Sequence, residues 1–300
     1  MKAIIHPSQS SAQVDSQRAE CLRQRIVAAK FLYETPRQAD LWLKLHAQCA
    51  PSSDIAAPYQ AVAVALAEQW AHVSGTLIAL GCGGGEKDRI ILNALPSGTH
   101  FVPTDVSEPL ALKAAEAVPD SKPLIFDLAA AENLSGFIDQ HAGPNRIFTF
   151  FGIIPNFPPS EILPQLRAIL KSEDRLLLSA NLAPNGMAAI LSQYDNAPTR
   201  DWLAEFPRTH GAGEGTVIIN IEQDGSLEHI AARFTFEEAC LMKTNGEQFS
   251  FQPGDDLRLF VSYRYTQQSL SKILSLYGII IERSFLSANR EEGVFLCALQ

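Results

Sequence analysis

The sequence contains few cysteines, and those present form no pattern that binds a metal or builds a disulfide framework. Its 300 residues include five cysteines, an odd number, at positions 21, 49, 82, 240 and 297. No two of them form a C-x-x-C pair, so the spacing indicates neither a zinc site nor a set of disulfides. We therefore expect no bound metal, and we interpret Cys82, which lies between glycines, as a small spacer rather than a nucleophile.

Long apolar runs are also absent. No stretch reaches the roughly 18 apolar residues that a membrane-spanning helix needs. The apolar stretch in the N-terminal M-K-A-I-I-H-P is too short for a secretory signal peptide. We therefore expect a cytoplasmic protein without a membrane partner.

Positive charge is scarce. Lys and Arg total 24 against 33 Asp and Glu, which gives a net charge of −9 at pH 7. A surface that binds nucleic acid needs clustered Lys and Arg, so we expect no nucleic-acid partner. The chain is 46% hydrophobic and long enough to bury a large core. We expect an acidic enzyme with a small-molecule substrate, present as a monomer or homodimer.

What the sequence does contain is a glycine-rich stretch at residues 76–87, T-L-I-A-L-G-C-G-G-G-E-K, around which the chain is organised. An apolar run ends in glycines and a helix-compatible segment follows, which predicts a strand, a tight turn and a helix. Glycines in such a turn can adopt positive φ and leave no Cβ between the main chain and a ligand. The following helix directs free N–H groups toward the turn.

The glycine spacing favours one class of ligand over another. The dinucleotide pattern G-x-G-x-x-G needs a sixth-position glycine, and Glu86 stands there, where a carboxylate would face a pyrophosphate. The pattern G-x-G-x-G fits Gly81, Gly83 and Gly85, and it resembles motif I of S-adenosylmethionine (SAM)-dependent methyltransferases. SAM carries a sulfonium cation and no phosphate, so nearby carboxylates are tolerable. A glycine-rich turn that binds no ligand is the alternative.

Apolar runs alternate with helical patterns through the middle of the chain, which predicts an α/β fold. Such strands form a parallel sheet covered by helices on both faces, with ligands at the carboxyl ends of the strands. After about residue 186 the pattern changes to antiparallel strands, with a hairpin turn at Asn245-Gly246. The predicted strands of the first region are 77–80, 100–105, 123–127, 146–151 and 175–180. Helices are predicted at 16–33, 37–49 and 57–72, after a loose lead-in at 1–15.

Other candidate site residues follow the predicted strands. Asp105 lies about 20 residues beyond the glycine turn, where a carboxylate can accept ribose hydroxyls; an Asx turn or an N-cap of the next helix is the alternative. Phe126 and Asp127 can stack on and hydrogen-bond adenine, although Asp127 also suits a helix N-cap. Lys87, beside the turn, is a further candidate for cofactor binding. Asn156 lies in the loop after the fourth strand, near the expected methyl acceptor, and could instead simply close a proline-rich loop.

Several blocks together resemble the SAM-dependent histidine Nα-methyltransferases of ergothioneine biosynthesis. They are ALGCGGGEKDRIILNAL, FVPTDVSEPL, FFGIIPNFPPSEILPQLRAIL, VSYRYTQQSLSKILSLYGI and FLYETPRQADLW. The resemblance implies a Rossmann-like SAM-binding core and a second α+β domain that together hold the substrate. It implies methyl transfer to an amino-acid amine, with S-adenosylhomocysteine (SAH) as product. The corresponding boundaries are 71–186 and 266–300 for the core, and 1–70 and 187–265 for the substrate domain.

The resemblance also assigns residues on the acceptor side. Asn156 matches an asparagine that binds the amino-acid head group, and Tyr194 matches a tyrosine that faces the substrate. Ser262 matches a serine that helps bind the imidazole. Tyr194 and Asn156 are therefore the candidates to handle the acceptor amine, Tyr194 by taking its proton or orienting it and Asn156 only by orienting it. No histidine lies in a motif that identifies a general base.

The sequence departs from this family where the imidazole would bind. Phe260 replaces a glutamate, Arg264 replaces a lysine, and the L-P-E-Y-Y segment is missing. Loss of a partner for a buried N–H costs on the order of 10²–10⁵ in discrimination, so we expect an aromatic or apolar acceptor rather than histidine. Ordinary core packing is the alternative role for Phe260. The alternatives for the whole protein are an O- or C-methyltransferase, a SAM-binding homologue without turnover or, less favoured, a nicotinamide or flavin oxidoreductase.

Overall fold

The computed structural model describes residues 2–48, 53–70, 74–130, 132–225 and 227–300. The described strands are β1 (Ile4–Ile5), β2 (Thr76–Leu80), β3 (His100–Asp105), β4 (Leu124–Ile125), β5 (Arg146–Phe151), β6 (Arg175–Asn181), β7 (Gly215–Asp224), β8 (Leu227–Phe236), β9 (Cys240–Thr244), β10 (Glu247–Phe251), β11 (Asp256–Tyr263), β12 (Ile279–Leu286) and β13 (Glu292–Leu299). The described α-helices are α1 (Ser11–Gln24), α2 (Pro36–Gln48), α3 (Ser53–Trp70), α4 (Glu86–Leu92), α5 (Glu108–Glu116), α6 (Leu134–Asp139), α7 (Pro159–Ile169), α8 (Met187–Ile190), α9 (Ala197–Thr209) and α10 (Gln267–Ser275).

The chain divides into two compact units, each built from separate stretches of sequence. Unit 1 consists of Met1–Ser8, Ala50–Pro184 and Tyr265–Gln300. Unit 2 consists of Gln9–Cys49 and Asn185–Arg264. No helix among the described residues is both long and apolar enough to cross a membrane.

Unit 1 is built on an eight-stranded sheet in the order β1-β4-β3-β2-β5-β6-β13-β12. The strands from β1 to β6 pair in parallel, whereas β13 runs antiparallel to β6 and β12. Helices α3, α5 and α10 pack on β13, β3 and β12. This arrangement confirms the predicted α/β fold with a mainly parallel sheet. The chain order reverses between β2 and β5, so the carboxyl ends of these two strands form the topological switch point, where such sheets bind ligands.

The central strands form because their side chains are apolar on both faces, which suits strands covered on both sides. All five residues of β2 and all six of β5 are buried. Leu77 and Ile147 from these strands pack in one cluster with Leu66 of α3 and Ile91 of α4. The core therefore lies directly beneath the glycine turn and holds its two flanking elements, β2 and α4, in place.

The N-terminal region differs from the prediction in two places. Ile4 and Ile5, predicted as a loose lead-in, pair with Leu124 and Ile125 at the edge of the sheet. The predicted helix 16–33 is instead α1, which ends at Gln24. Arg25 has φ 56° and its N–H bonds the carbonyls of the preceding turn, which ends the helix. The next residues then pair with β11, since the N–H of Val27 donates to the carbonyl of Arg258.

Unit 2 contains a three-stranded antiparallel sheet, β11-β8-β7, and a separate hairpin of β9 and β10. The hairpin turn is the predicted one: Asn245 and Gly246 have φ of 52° and 74°, as a tight primed turn requires. Helix α9 was not predicted, and it lies within the region interpreted as β-rich. Its start is a recognisable signal, because Asn196 accepts the N–H of Thr199 and a proline stands in the first turn.

The boundary between the units also differs from the predicted domain boundary at the N-terminal end. The prediction places residues 1–70 with the second domain, whereas Met1–Ser8 and helix α3 belong to unit 1. Helix α3 packs on β13 and α4 because its apolar face, including Val62 and Leu66, is fully buried there. The role of either unit in substrate binding stays a prediction at this point.

Candidate active site

The glycine turn directly after β2 has a backbone that side chains cannot readily adopt. Gly81, Gly83 and Gly85 have φ of 64°, 53° and 74°, the left-handed region that favours glycine. A Cβ on Gly81 would lie 2.6 Å from Cδ1 of Ile153, and a Cβ on Gly85 would lie 2.9 Å from Cβ of Ala114. The turn therefore brings bare backbone to the carboxyl end of β2, as a cofactor cradle requires.

Asp105, the last residue of β3, joins this turn through its carboxylate. The N–H of Gly83 donates to Oδ2 at 3.0 Å, and the N–H of Ser107 donates to Oδ1 at 2.9 Å. Burial raises the pKa of Asp105 to about 6, despite the opposing effect of these N–H groups. At neutral pH the carboxylate is ionised, and its unused lone pairs can accept further hydrogen bonds.

Phe126 and Asp127 follow β4, the neighbour of β3 in the sheet. The ring of Phe126 is buried and lies edge-on to Phe137, with 6.2 Å between centroids. Oδ1 of Asp127 accepts the N–H of Ala129 at 3.0 Å, which closes a local turn. The described helix that follows, α6, has Asn133 at its N-cap, so Asp127 is not the helix N-cap that the sequence offered as an alternative. Contact of these two residues with a cofactor stays a prediction.

The loop after β5 lies beside the glycine turn at the switch point. Its Ile153 is the residue that a side chain on Gly81 would meet. Asn156 ends a short 3₁₀ helix, Ile154–Asn156, and is half-buried. Its side-chain amide makes no hydrogen bond with any other residue that the structure describes. The amide is therefore available to a ligand bound at this end of the sheet.

Lys87 points to a buried carboxylate of its own unit. Its Nζ lies 3.6 Å from Oε1 of Glu292 and 4.9 Å from the ring centroid of Tyr59. This ion pair explains the position of the side chain without a cofactor. A role of Lys87 in cofactor binding stays a prediction.

A buried polar network around Glu292 was missed from the sequence. The hydroxyl of Tyr59 donates to Glu292 and lies 2.8 Å from Oγ of Ser179. The amide of Asn181 donates to the other carboxylate oxygen at 2.6 Å. Burial, reinforced by the charge of Glu292, raises the pKa of Tyr59 well above its usual range. Tyr59 therefore stays protonated and acts as a donor that ties α3 to β6 and β13.

Asp88 is a second buried carboxylate near the turn. The hydroxyl of Thr149, in β5, donates to its Oδ1. Burial raises the pKa of Asp88 to about 6, and the hydrogen bond from Thr149 opposes this shift. Burial also raises the pKa of the Cys82 thiol well above its usual range, so Cys82 is a poor nucleophile, in agreement with its interpretation as a spacer.

The acceptor-side candidates Tyr194, Phe260 and Ser262 lie together within unit 2. The hydroxyl of Tyr194 lies 2.7 Å from Oγ of Ser262, and Nε of Arg264 donates to the same hydroxyl at 2.6 Å. The ring of Phe260 lies 6.0 Å from the rings of both Tyr194 and Trp202. Residues far apart in sequence thus form one polar and aromatic cluster, whereas Asn156 belongs to unit 1.

The aromatic surface of unit 2 extends beyond these residues. Tyr33 contacts Trp202 at 5.4 Å and Trp42 at 5.7 Å between ring centroids. Trp42 in turn stacks on His46, one turn along α2, at 5.0 Å. Tyr33 and Trp42 are half-buried. In the sequence, the F-L-Y…L-W block is rich in aromatic residues. It does not show which other residues these aromatic side chains contact.

Comparison with known proteins identifies the family. Residues 58–208 match the family described as "Histidine-specific methyltransferase, SAM-dependent", which is half of the chain. The histidine N-alpha-methyltransferase of Mycobacterium tuberculosis (strain CDC 1551 / Oshkosh) is 26% identical over 252 residues, covering 74% of this chain and 75% of that protein.

Solved structures support the same fold. The mitomycin 7-O-methyltransferase MmcR aligns with a TM-score of 0.50 and 13% identity over 98% of this chain and 70% of its own. OxaC, solved with SAH and oxaline, aligns with a TM-score of 0.51 and 14% identity over 90% of this chain and 53% of its own. At these identities the likeness shows the fold alone.

The residues at the switch point fit SAM. The turn offers bare backbone, Asp105 offers acceptor lone pairs, and no described residue group could hold a metal ion in their place. The absence of a sixth-position glycine, with Glu86 exposed there, sets the turn apart from a pyrophosphate site. The fold, the glycine turn and the family match agree: the chain is a SAM-dependent methyltransferase and belongs, as a divergent member, to the histidine-specific methyltransferase family.

Proposed function

We propose that this enzyme methylates the amine of an amino acid, or of a compound derived from one, that carries an aromatic group, and that histidine is not its acceptor. The observation that carries the proposal is the position of Phe260. Its ring lies against Tyr194 and Trp202. Phe260 stands two positions before Ser262, where family resemblance assigns a carboxylate for the imidazole.

On the donor side, the proposal gives unit 1 the task of holding SAM. SAM supplies a methyl group on a sulfonium centre that is already a good leaving group. Gly81, Gly83 and Gly85 admit the cofactor close to the backbone, and Asp105 accepts the ribose hydroxyls through the lone pairs left by Gly83 and Ser107. Phe126 and Asp127 contact the adenine, and Lys87 completes the set of cofactor residues.

On the acceptor side, the proposal gives unit 2 the task of recognising the aromatic group. An imidazole N–H placed against Phe260 would lose a hydrogen-bond partner that water had supplied, which is unfavourable in a buried site. A benzyl or indole ring would instead gain an edge or face contact with Phe260 and Trp202, worth about 0.5–1.5 kcal/mol beyond the buried area. In this proposal the surface beside Phe260 selects against histidine and for a carbocyclic ring.

Catalysis in this proposal consists of positioning and removal of water. The amide of Asn156, which has no hydrogen bond to a described residue, orients the acceptor amine. The hydroxyl of Tyr194, fixed by Ser262 and Arg264, takes or relays its proton. An amine near its own pKa needs no strong base, and holding two reactants in line accounts for much of the acceleration of such a displacement.

The test is a methyl-transfer assay on the full chain with SAM and a panel of acceptors. The panel contains phenylalanine, tyrosine, tryptophan, histidine and phenyllactate, which replaces the amine by a hydroxyl. We expect N-methylated aromatic amino acids, located by fragmentation mass spectrometry. Methylation of histidine in preference, or of phenyllactate at the hydroxyl, would overturn the proposed acceptor. Gly83→Val is the control that should not bind SAM, because valine is strongly disfavoured at positive φ.

Cytoplasmic location and a monomeric or homodimeric state remain predictions from the sequence. Calorimetry of SAM and SAH binding to the same preparation shows whether the donor side is intact. If SAH binds but no member of the panel is methylated, the donor side holds and the proposed acceptor class is wrong.

A further inference from the structure

We propose that Arg264 binds a carboxylate of the acceptor, so that the enzyme selects aromatic compounds that carry an acid group. This inference rests on the proposed function, and it concerns the same cluster in unit 2. It adds a specificity residue to that cluster and a chemical class to the acceptor. Arg264 follows the last residue of β11, two positions after Ser262.

The guanidinium of Arg264 is held in a fixed orientation by Tyr194. Its Nε donates to the hydroxyl of Tyr194 at 2.6 Å, and its Cζ lies 5.0 Å from the centroid of the same ring. A hydrogen bond and a cation–π contact to one residue restrict the planar group more than either would alone. The direction of its remaining N–H groups is therefore set before any ligand arrives.

Those remaining N–H groups have no acceptor within the protein. Among the residues that the structure describes, Nη1 and Nη2 of Arg264 form neither an ion pair nor a hydrogen bond. The side chain is nevertheless half-buried. A half-buried guanidinium with a fixed orientation and an unused pair of Nη donors matches the geometry of a carboxylate, which can accept two parallel hydrogen bonds.

The hydroxyls of Tyr194 and Ser262, beside Arg264, add further hydrogen-bond donors to the cluster. The hydroxyl oxygens of Tyr194 and Ser262 are 2.7 Å apart, so one hydroxyl donates its hydrogen to the other. The hydroxyl that accepts keeps its own O–H, which can donate to a ligand. Ser262 is only 2% exposed, so bulk water has little access to its oxygen. No carboxylate of a described residue contacts these groups. A ligand group that only accepts hydrogen bonds therefore fits beside the Nη groups of Arg264, where the positive charge of the guanidinium repels a cation.

The aromatic neighbours define the rest of the ligand. Phe260 lies against Tyr194 on one side and Trp202 on the other, so an aromatic surface begins beside the donor cluster. A ligand that uses both features carries a ring and a carboxylate a few bonds apart. Aromatic amino acids meet this description, and so do aromatic acids without an amine. Aromatic amines without an acid group do not.

The experiment compares ligands that differ only in these groups. Calorimetry on the full chain saturated with SAH measures the Kd of phenylalanine, of phenethylamine, which lacks the carboxylate, and of 3-phenylpropionate, which lacks the amine. We expect wild-type protein to bind phenylalanine and 3-phenylpropionate more tightly than phenethylamine. Equal binding of phenylalanine and phenethylamine would overturn the inference, while failure of all three would count against the proposed function as well.

The variants Arg264→Met and Arg264→Lys separate recognition from a structural role. Loss of a charged hydrogen-bond donor weakens binding by about 10- to 100-fold. We expect that loss for phenylalanine with Arg264→Met, a smaller loss with Arg264→Lys, and a change within about 3-fold for phenethylamine. If Arg264 only supports Tyr194, all three ligands should weaken alike, and the inference is wrong. Unchanged SAH affinity in each variant shows that unit 1 is intact.

Discussion

At the scale of single residues, the carboxylate of Asp105 both holds the local backbone and is our candidate for binding the cofactor. It fixes the glycine turn through the N–H of Gly83 and starts the next turn through Ser107. It is also the residue to which we assign the ribose hydroxyls. Because burial raises its pKa to about 6, its charge changes just below neutral pH, and that property makes the assignment testable.

Binding of SAH should weaken as the pH falls from 7.5 to 5. Ribose hydroxyls donate to the ionised carboxylate, so protonation of Asp105 near pH 6 removes the acceptor and lowers affinity. Calorimetry across this range measures the effect. Asp105→Asn should bind more weakly by about 1–3 kcal/mol at pH 7.5 and lose most of the pH dependence. An equally steep pH dependence in Asp105→Asn would contradict the assignment.

Single residues also show how far the sequence allows a site to be predicted. The contact between Gly83 and Asp105 follows from two adjacent parallel strands that end at one edge, and it was predictable. Family resemblance alone assigned Tyr194 and Ser262 to the acceptor side, and it did not predict the contact between their hydroxyls, which lie 68 positions apart in sequence. Glu292 could not be distinguished from Glu291, because the full burial of Glu292 beside a half-buried Glu291 depends on packing that no local pattern records.

At the scale of elements, Tyr59 links a helix to two strands of the sheet. Its ring meets Phe151 edge-on at 5.0 Å, and its hydroxyl meets Ser179 in β6 and Glu292 in β13. The carboxylate of Glu292 is 2% exposed, so it depends on Tyr59, Asn181 and Lys87 for partners. A buried network of this kind stabilises the fold only while each polar group in it has a hydrogen-bond partner.

The variant Tyr59→Phe should lower the free energy of unfolding by about 1–3 kcal/mol. Phenylalanine keeps the contact with Phe151 but leaves Glu292 without one of its donors. Urea denaturation measures the change. In a double-mutant cycle with Glu292→Gln, the two losses should be less than additive, because both variants remove the same hydrogen bond. Additive losses would mean that Tyr59 and Glu292 are not coupled.

The glycine turn and α5 give a second prediction at this scale. Gly85→Ala should destabilise the protein by about 1–2 kcal/mol, because alanine is disfavoured at φ 74°, and by more where the new Cβ meets Ala114. Adding Ala114→Gly should recover only the part due to contact. Thermal unfolding of the four proteins in the cycle measures both parts. Full recovery in the double variant would show that the backbone conformation is not strained.

Elements were predicted where periodicity is strong and missed where it is weak. The buried strands β2 and β5 have nearly continuous apolar runs, and their bounds, like those of β3, match the prediction closely. The two-residue strand β1 has too few residues for any period to appear. Helix α9 contains prolines at both ends, and these residues are more often signs of a break than of a helix.

At the scale of the whole molecule, four titratable groups, three of them buried and His210 half-buried, set opposing trends of stability with pH. Burial raises the pKa of Asp88 and Asp105 to about 6, and it lowers the pKa of His210 and His229. The carboxyls favour the folded state at low pH, because the folded protein keeps protons that the unfolded chain releases. The histidines disfavour it at low pH, because the unfolded chain binds protons that the folded protein excludes.

The contribution of Asp88 should therefore fall as the pH rises from 4 to 7. A shift from 3.8 to about 6 corresponds to about 3 kcal/mol, lost as the pH rises through that window and constant above it. Urea denaturation of Asp88→Asn and wild type at several pH values measures this difference. The unfolding free energy of wild type should fall by that amount relative to the unfolding free energy of Asp88→Asn as the pH rises. A difference between the two proteins that stays constant with pH would show that folding does not raise the pKa of Asp88.

The division into two units is a further feature of the whole molecule that the sequence outlined only in part. The change of pattern near residue 186 marks the start of the second stretch of unit 2. Its first stretch, Gln9–Cys49, joins the later one through contacts such as the hydrogen bond from the Trp202 indole to the carbonyl of Leu32. Helix α3 has the same helical pattern as α1 and α2, so local sequence does not show that it belongs to unit 1.

The measurement that tests the central claim most directly is the ratio of kcat/KM for phenylalanine, tyrosine or tryptophan to that for histidine, in wild type and in Phe260→Glu. We expect wild type to favour at least one aromatic amino acid by about 100-fold or more. We expect Phe260→Glu to narrow or invert that ratio, because the new carboxylate offers a partner to the imidazole N–H. A wild-type enzyme that prefers histidine, or a ratio that Phe260→Glu leaves unchanged, would contradict the account.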